Sequence, residues 1–420
     1  MKELRDYQVQ ISENGSKILA HKKIVYLAMQ VRTGKTTTSL NICKLNGYKN
    51  VLFLTKKKAV KSIQEDYNDF GFNEHFEITI TNNESMHKVF GNFDCVIHDE
   101  SHRFGSFPKP SQGAKLFKEK YSTLPLILLS GTPTPESYSQ IFHQFWISRY
   151  SPFAHVNFYK WAHDYVNITQ RNLGYGMVND YTKADKALIE SVIKDYMISY
   201  TQEESGFKSK VIERILYIEM SNKTHYIANE LKKDLVLIGS EETILADTAV
   251  KLMSKLHQIY SGTVKFESGN SKILDDTKAR FIYDNFSSNK IAIFYKFKAE
   301  LDAIKSIFKD EITTDLEEFN STNKSIALQF VSGREGISLK KAKYIVTYNI
   351  DFSATTYFQF KDRMTTIDRL ENEVFWIFTR GGLEDKIYKS VLNKKNYTSS
   401  HFKKDINVKF PKKDNRRIQA

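Results

Sequence analysis

Ile24-Val25-Tyr26-Leu27-Ala28-Met29-Gln30-Val31-Arg32-Thr33-Gly34-Lys35-Thr36 decides how the rest of the chain is read. A continuous apolar, β-favouring run enters a Gly-Lys-Thr turn, and helical spacing resumes from Lys35 to Leu45. Strand, turn and helix in that order are the context a phosphate-binding loop needs. Backbone N–H groups and the helix N-terminus surround the phosphate, Lys35 neutralises its charge, and the Thr36 hydroxyl can ligate Mg²⁺. Two positions depart from the full pattern: Met29 stands where its first Gly would be, and Arg32 where many such loops keep Gly.

Working outward, strand signals at Val51–Thr55, Phe76–Ile80, Asp94–His98 and Leu126–Leu129 alternate with helical ones such as Ala59–Phe70. This alternation predicts a parallel sheet wrapped by helices. Asp94-Cys95-Val96-Ile97-His98 runs into Asp99-Glu100-Ser101-His102, so two adjacent carboxylates are expected at the C-terminal edge of a buried strand, where α/β sheets bind ligands. Acidic pairs also serve as helix caps; the upstream Gly-Lys-Thr favours chemistry instead. Asp99 suits Mg²⁺, and Glu100 suits orienting and deprotonating an attacking water. His102 is better placed to relay nucleotide state than to bind zinc, because no partner ligand lies at metal spacing. Ser130 and Thr132, in Leu128-Leu129-Ser130-Gly131-Thr132-Pro133, are either sensors of a γ-phosphate or an ordinary strand exit.

The chain has 420 residues, about two to three times the usual domain size, and predicts two α/β domains. The expected division is 1–140 for the first α/β domain, 141–265 for a largely helical insertion, 266–395 for the second α/β domain, and 396–420 for a mobile basic tail. Within the insertion, Glu213–Glu219 is the main strand signal, and Tyr159, Trp161 and Tyr165 read as packing. A formal net charge of +13 favours a polyanionic partner through phosphate neutralisation. Cys43 and Cys95 alone provide no disulfide framework, which fits a reducing cytoplasm. The start carries charges where a signal peptide needs an apolar core, and the longest apolar run, Leu124–Leu129, is too short to span a bilayer, so no membrane is expected.

Leu4-Arg5-Asp6-Tyr7-Gln8, the phosphate loop, Asp99-Glu100-Ser101-His102 and Ser130-Gly131-Thr132-Pro133 occur in the order of the Q-like motif and motifs I, II and III of superfamily 2 helicases. Gly336-Ile337-Ser338-Leu339, Tyr344–Asp351, and Gln359 with Arg363 resemble motifs V and VI of the Swi/Snf-type DNA translocases. Leu252–Ile259 and Gly382–Ile387 are similar to further segments of that group, so the resemblance runs from Leu4 to Lys395. The Arg-Thr-Gly-Lys-Thr loop and Tyr348–Ser353 resemble small bacteriophage-encoded members.

The resemblance implies two RecA-like domains that use ATP and Mg²⁺. By it, Gln8 reads the adenine edge, and Thr33, Gly34, Lys35, Thr36 and Thr37 hold the phosphates. Arg363 acts as an arginine finger, and Gln359 contacts the γ-phosphate or its water. The family's second arginine is replaced by Thr366, leaving Arg369 as the next candidate. Nucleic-acid backbone contacts are implied for Lys56 and Lys57 (with Lys58 beside them), Thr81 with Asn82, Lys296, Ser332, Gly333 and Arg334. Phe352 and Tyr357 either pack in the core or stack on a base, with the core reading favoured. The expected activity is a cytoplasmic, monomeric ATP-dependent motor on double-stranded or branched DNA, in the host cytoplasm if phage-encoded, with the basic tail open to a protein partner. A strand-separating DNA or RNA helicase and a non-hydrolysing binding scaffold are the alternatives.

Overall fold

A computed structural model of the chain describes residues 2–172, 176–206, 210–330, 339–362, 371–393, 395–406 and 408. The chain divides into two compact units, residues 1–208 and 209–420. Each is built on a six-stranded parallel sheet, so the two expected α/β domains are present.

In the first unit the strands are β1 (Ile24–Met29), β2 (Asn50–Thr55), β3 (Glu77–Asn82), β4 (Cys95–Asp99) and β5 (Leu126–Leu129). A hairpin of β6 (Thr169–Asn172) and β7 (Met177–Asp180) follows, and then β8 (Met197–Tyr200). The sheet order is β3-β2-β4-β5-β1-β8. The central strands are buried along nearly their whole length, as a parallel sheet covered on both faces requires. Register aligns their C-terminal ends: Leu27 and Asp99 both pair with Leu129, and Leu54 with His98. The loops after β1, β2, β4 and β5 therefore leave along one edge, which is what positions the site.

The second unit contains β9 (Lys210–Ile218), the hairpins β10 (Val236–Ile238) with β11 (Thr243–Leu245) and β12 (Thr263–Lys265) with β13 (Ser271–Ile273), then β14 (Ile291–Tyr295), β15 (Ile312–Thr313), β16 (Ser325–Gln329), β17 (Tyr344–Thr347) and β18 (Glu371–Thr379). Its sheet order is β15-β16-β14-β17-β18-β9.

Residues 141–265 do not form a separate helical insertion. They split between the units, and β8 and β9 become the outermost strands of the two sheets. Met197-Ile198-Ser199-Tyr200 is too short and too mixed to announce a strand by period; its pairing with β1 determines its conformation. The helices at Ile141–Trp146 and Phe158–Tyr165 join the first core, where Trp161 is fully buried and Tyr165 partly so. Tyr159 departs from the expected packing and stands 49% exposed. The tail also differs from a wholly mobile arm: Ser399–Asp405 is helical, and Tyr397 and Phe402 are buried in the second core. Two aromatics among lysines carry no readable period, yet they suffice to dock a short helix. Tyr357 lies in the same core with Phe352 packed against it, and Cys43 and Cys95 are buried thiols. Among the described residues no helix is long and apolar enough to cross a membrane.

Lys278 and Glu384 form a fully buried ion pair of 3.0 Å in the second unit. Glu384→Ala strands the ammonium and is expected to destabilise the protein by about 3–5 kcal/mol in urea unfolding, whereas Lys278→Met with Glu384→Leu is expected to be near neutral. A small loss for the single variant contradicts this.

Candidate active site

The loop from Gln30 to Gly34 closes on itself. Arg32 and Gly34 have φ of +64° and +80°. A Cβ at Gly34 would lie 1.8 Å from Gln8 Nε2, so both backbone conformation and space require glycine there. Met29 takes no part in the turn: it is the last residue of β1, buried and paired with Tyr200. Thr33 Oγ1 and Lys35 Nζ donate to the Gln30 carbonyl at 2.7 and 3.3 Å. Thr36 follows in the first turn of the helix Lys35–Leu45.

Thr37 Oγ1 donates to Gly34 O at 3.0 Å and accepts from Gln8 Nε2 at 3.0 Å. Gln8 Oε1 accepts from Arg5 N at 2.9 Å. The Gln8 amide therefore braces the phosphate loop from beneath, and only 6% of the residue is exposed.

Sequence reasoning missed the loop's other supports. Gln202 N donates to Gln30 Oε1 at 2.7 Å, and Gln202 Nε2 to Val31 O at 2.9 Å. Tyr7 stacks on Tyr200 at 4.8 Å and donates to Thr33 O at 3.1 Å. No local pattern links residue 202 to residue 30; the link exists because β8 pairs with β1.

The acidic pair emerges beside this loop. Thr55 Oγ1 donates to Asp99 Oδ2 at 2.8 Å, and Glu100 N to Asp99 Oδ1 at 3.0 Å. Burial pushes the Asp99 carboxyl up to about 6, the neighbouring Glu100 charge pushes the same way, and Lys35, the Thr55 hydroxyl and Lys56 oppose it. Glu100 adopts φ of +54°, an uncommon conformation for a non-glycine residue. Its Oε1 lies 3.7 Å from Lys56 Nζ and its Oε2 3.2 Å from His102 Nδ1. His102 Nδ1 is also 3.0 Å from Ser130 Oγ, which accepts from Thr132 N at 3.1 Å. A proton on Nδ1 suits both oxygens. Glu100, His102, Ser130 and Thr132 thus form a continuous polar chain.

The donor set suits Mg²⁺. Asp99 and Thr36 offer hard oxygens, and a divalent cation would relieve the two crowded carboxylates. Among the described residues no group of three or more His, Cys, Asp or Glu could hold a metal ion.

The remaining expected residues fall elsewhere. Lys57 is exposed after β2, and Thr81 lies near the end of β3 with Asn82, whose side chain caps the next turn through Ser85 N. Lys296 is not an open phosphate contact: it pairs with Asp351 at 3.1 Å and lies 3.7 Å from the Phe352 ring centroid. Gln359 belongs to the helix Ala354–Asp362, with its side chain outside the described residues, as are Ser332, Gly333, Arg334, Arg363 and Arg369. That helix is anchored by a residue sequence reasoning did not single out. Glu213 on β9 accepts from Tyr357 OH at 2.9 Å, Lys361 Nζ at 2.6 Å, Trp376 Nε1 at 3.0 Å and Tyr388 OH at 3.0 Å.

Residues 1–88 match the family model described as "Type III restriction enzyme, res subunit", a stretch that includes the phosphate loop. No curated protein matches the chain. Among solved structures it is similar to the Sulfolobus solfataricus SWI2/SNF2 ATPase core in complex with dsDNA, at 14% identity over 96% of this chain and 93% of that one, with a TM-score of 0.43.

Asp99 makes the site's electrostatics measurable. With its folded value raised to about 6 from 3.8, it binds its proton more tightly in the folded state. The stability this contributes is complete below the unfolded value and is lost as pH rises through the folded one. Without divalent cation, Asp99→Asn is expected to melt above the wild type at about pH 7.5, with the gap closing toward about pH 4. A variant that melts lower at the higher pH contradicts the assignment.

Proposed function

We propose that the chain is a Mg²⁺-dependent ATPase of the superfamily 2 helicase type that couples hydrolysis to movement along duplex or branched DNA. The observation that carries this reading is the convergence on one sheet edge of a glycine-turn lysine, an adjoining carboxylate pair, and a polar chain leading away from the second carboxylate. The match of residues 1–88 to the family model described as "Type III restriction enzyme, res subunit" supports it.

In this reading the backbone N–H groups of Gly34–Thr37 and the start of the helix Lys35–Leu45 receive the phosphates, because the Thr33 and Thr37 hydroxyls and the Thr33 N–H are already engaged. Lys35 leaves the Gln30 carbonyl for the β/γ oxygens. Asp99 and Thr36 would hold Mg²⁺, which when bound would supply charge neutralisation to the phosphates. Glu100 orients the attacking water and takes its proton. His102, in contact with both Glu100 and Ser130, carries the state of the carboxylate toward Thr132. The exposed lysines after β2 meet the nucleic-acid backbone, and the net charge of +13 suits a polyanionic track. Gln359, Arg363 and Arg369 enter this account through the resemblance of their motif alone, as does a bacteriophage origin.

Steady-state ATP hydrolysis with Mg²⁺, measured with no nucleic acid and with duplex DNA, single-stranded DNA, a forked junction and RNA, tests the reading. Duplex or branched DNA is expected to stimulate the wild type many-fold, and Glu100→Gln to lower the stimulated rate by about a hundredfold or more. Stimulation by single strands or RNA alone points to a strand-separating helicase. A wild type no faster than Glu100→Gln on every substrate contradicts hydrolysis and leaves a binding protein.

A further inference from the structure

β2 and β4 are parallel neighbours with Leu54 opposite His98, so the next two positions run abreast: Thr55 beside Asp99 and Lys56 beside Glu100. Within each pair the residue that follows β2 contacts its counterpart at the end of β4. Thr55 Oγ1 reaches Asp99 Oδ2 at 2.8 Å, and Lys56 Nζ lies 3.7 Å from Glu100 Oε1. The other oxygen of Glu100 faces His102 Nδ1 at 3.2 Å. Both of its oxygens are therefore occupied by protein groups, whereas a carboxylate that activates water needs one of them turned to that water.

The two contacts differ in permanence. Asp99 is clamped by hydrogen bonds of ordinary length from Thr55 and from the Glu100 amide. The Lys56–Glu100 pair is long for an ion pair, and its side chains remain 17% and 20% exposed. At 3.7 Å the pair lies beyond hydrogen-bond length, so it holds its carboxylate less firmly than the contacts on Asp99 hold theirs. Lys56 is also the first of three consecutive lysines, and Lys57 and Lys58 face solvent. An anionic backbone drawn to this run meets Lys56 at the same time, and a phosphate is a competing partner for its ammonium.

We infer that Lys56 is a latch on Glu100: in the absence of nucleic acid it holds the carboxylate away from the attacking water, and a backbone phosphate at the lysine run draws it off. The inference rests on Glu100 being the water-activating carboxylate of an ATPase. It gives one lysine two partners, and makes their exchange the means by which a bound track raises the rate.

The test is steady-state ATP hydrolysis by the full chain with Mg²⁺, with and without saturating duplex or single-stranded DNA, for the wild type, Lys56→Ala, Lys56→Gln and Lys56→Arg. Removing the charge is expected to raise the unstimulated rate about threefold to tenfold and to shrink the stimulated-to-unstimulated ratio. Lys56→Arg restores the low unstimulated rate. If the Ala and Gln variants turn over no faster than the wild type without nucleic acid, the latch is overturned and the ATPase reading stands. The same holds if an active wild type is not stimulated by either DNA. A wild type that hydrolyses no ATP on any substrate overturns the ATPase reading and the latch together.

Discussion

Two adjacent carboxylates at the end of a buried strand are the constraint around which the first unit is arranged. Ionised side by side and away from water, Asp99 and Glu100 repel one another and lose hydration, and burial is the larger influence on Asp99. Thr55 steadies Asp99, Lys56 and His102 flank Glu100, and Lys35 contributes opposing charge. These partners come from the ends of different parallel strands or from the turns after them. The sheet therefore comes first: only a register that ends β1, β2, β4 and β5 along one edge brings the groups together.

The phosphate loop shows the same dependence on its surroundings. Its short turn contains a non-glycine residue at positive φ, Arg32, and such a backbone persists where neighbours over-determine it. Gln8 and Tyr7 brace it from the N-terminal helix, while Tyr200 and Gln202 hold it from the far side of β1. A site supported from two directions is preorganised for a ligand, which is how an electrostatic site avoids reorganising when charge arrives. In the second unit Glu213 does comparable work, gathering four donors to hold the helix that contains Gln359.

Much of this was legible in the sequence because the signals were local. The apolar runs of β1, β4 and β5, the Gly-Lys-Thr turn and the Asp-Glu step each announce themselves within a few residues, and together they specify a parallel sheet with a ligand edge. His102 and Ser130 were each singled out, but their contact was not, because it exists only through the pairing of β4 with β5. What escaped was non-local. β8 and β9 are edge strands whose pairing is decided by partners more than a hundred residues away, so residues 141–265 read as a helical insertion when they in fact complete both sheets. Gln202 and Glu213 have no motif; their roles come from pairing that no window of sequence displays. Lys296 carried a family-derived expectation, but the ion pair with Asp351 engages its charge.

The central claim is that the loop at Gly34 and the carboxylates at the end of β4 form one nucleoside-triphosphate site. Titration calorimetry of ATP with Mg²⁺ into the wild type and into Lys35→Ala addresses it without depending on turnover or on nucleic acid. Binding by the wild type in the range of about 1 μM to 1 mM, weakened at least about tenfold in Lys35→Ala, is the predicted result. Equal binding by the two proteins, or none by the wild type, would contradict the account.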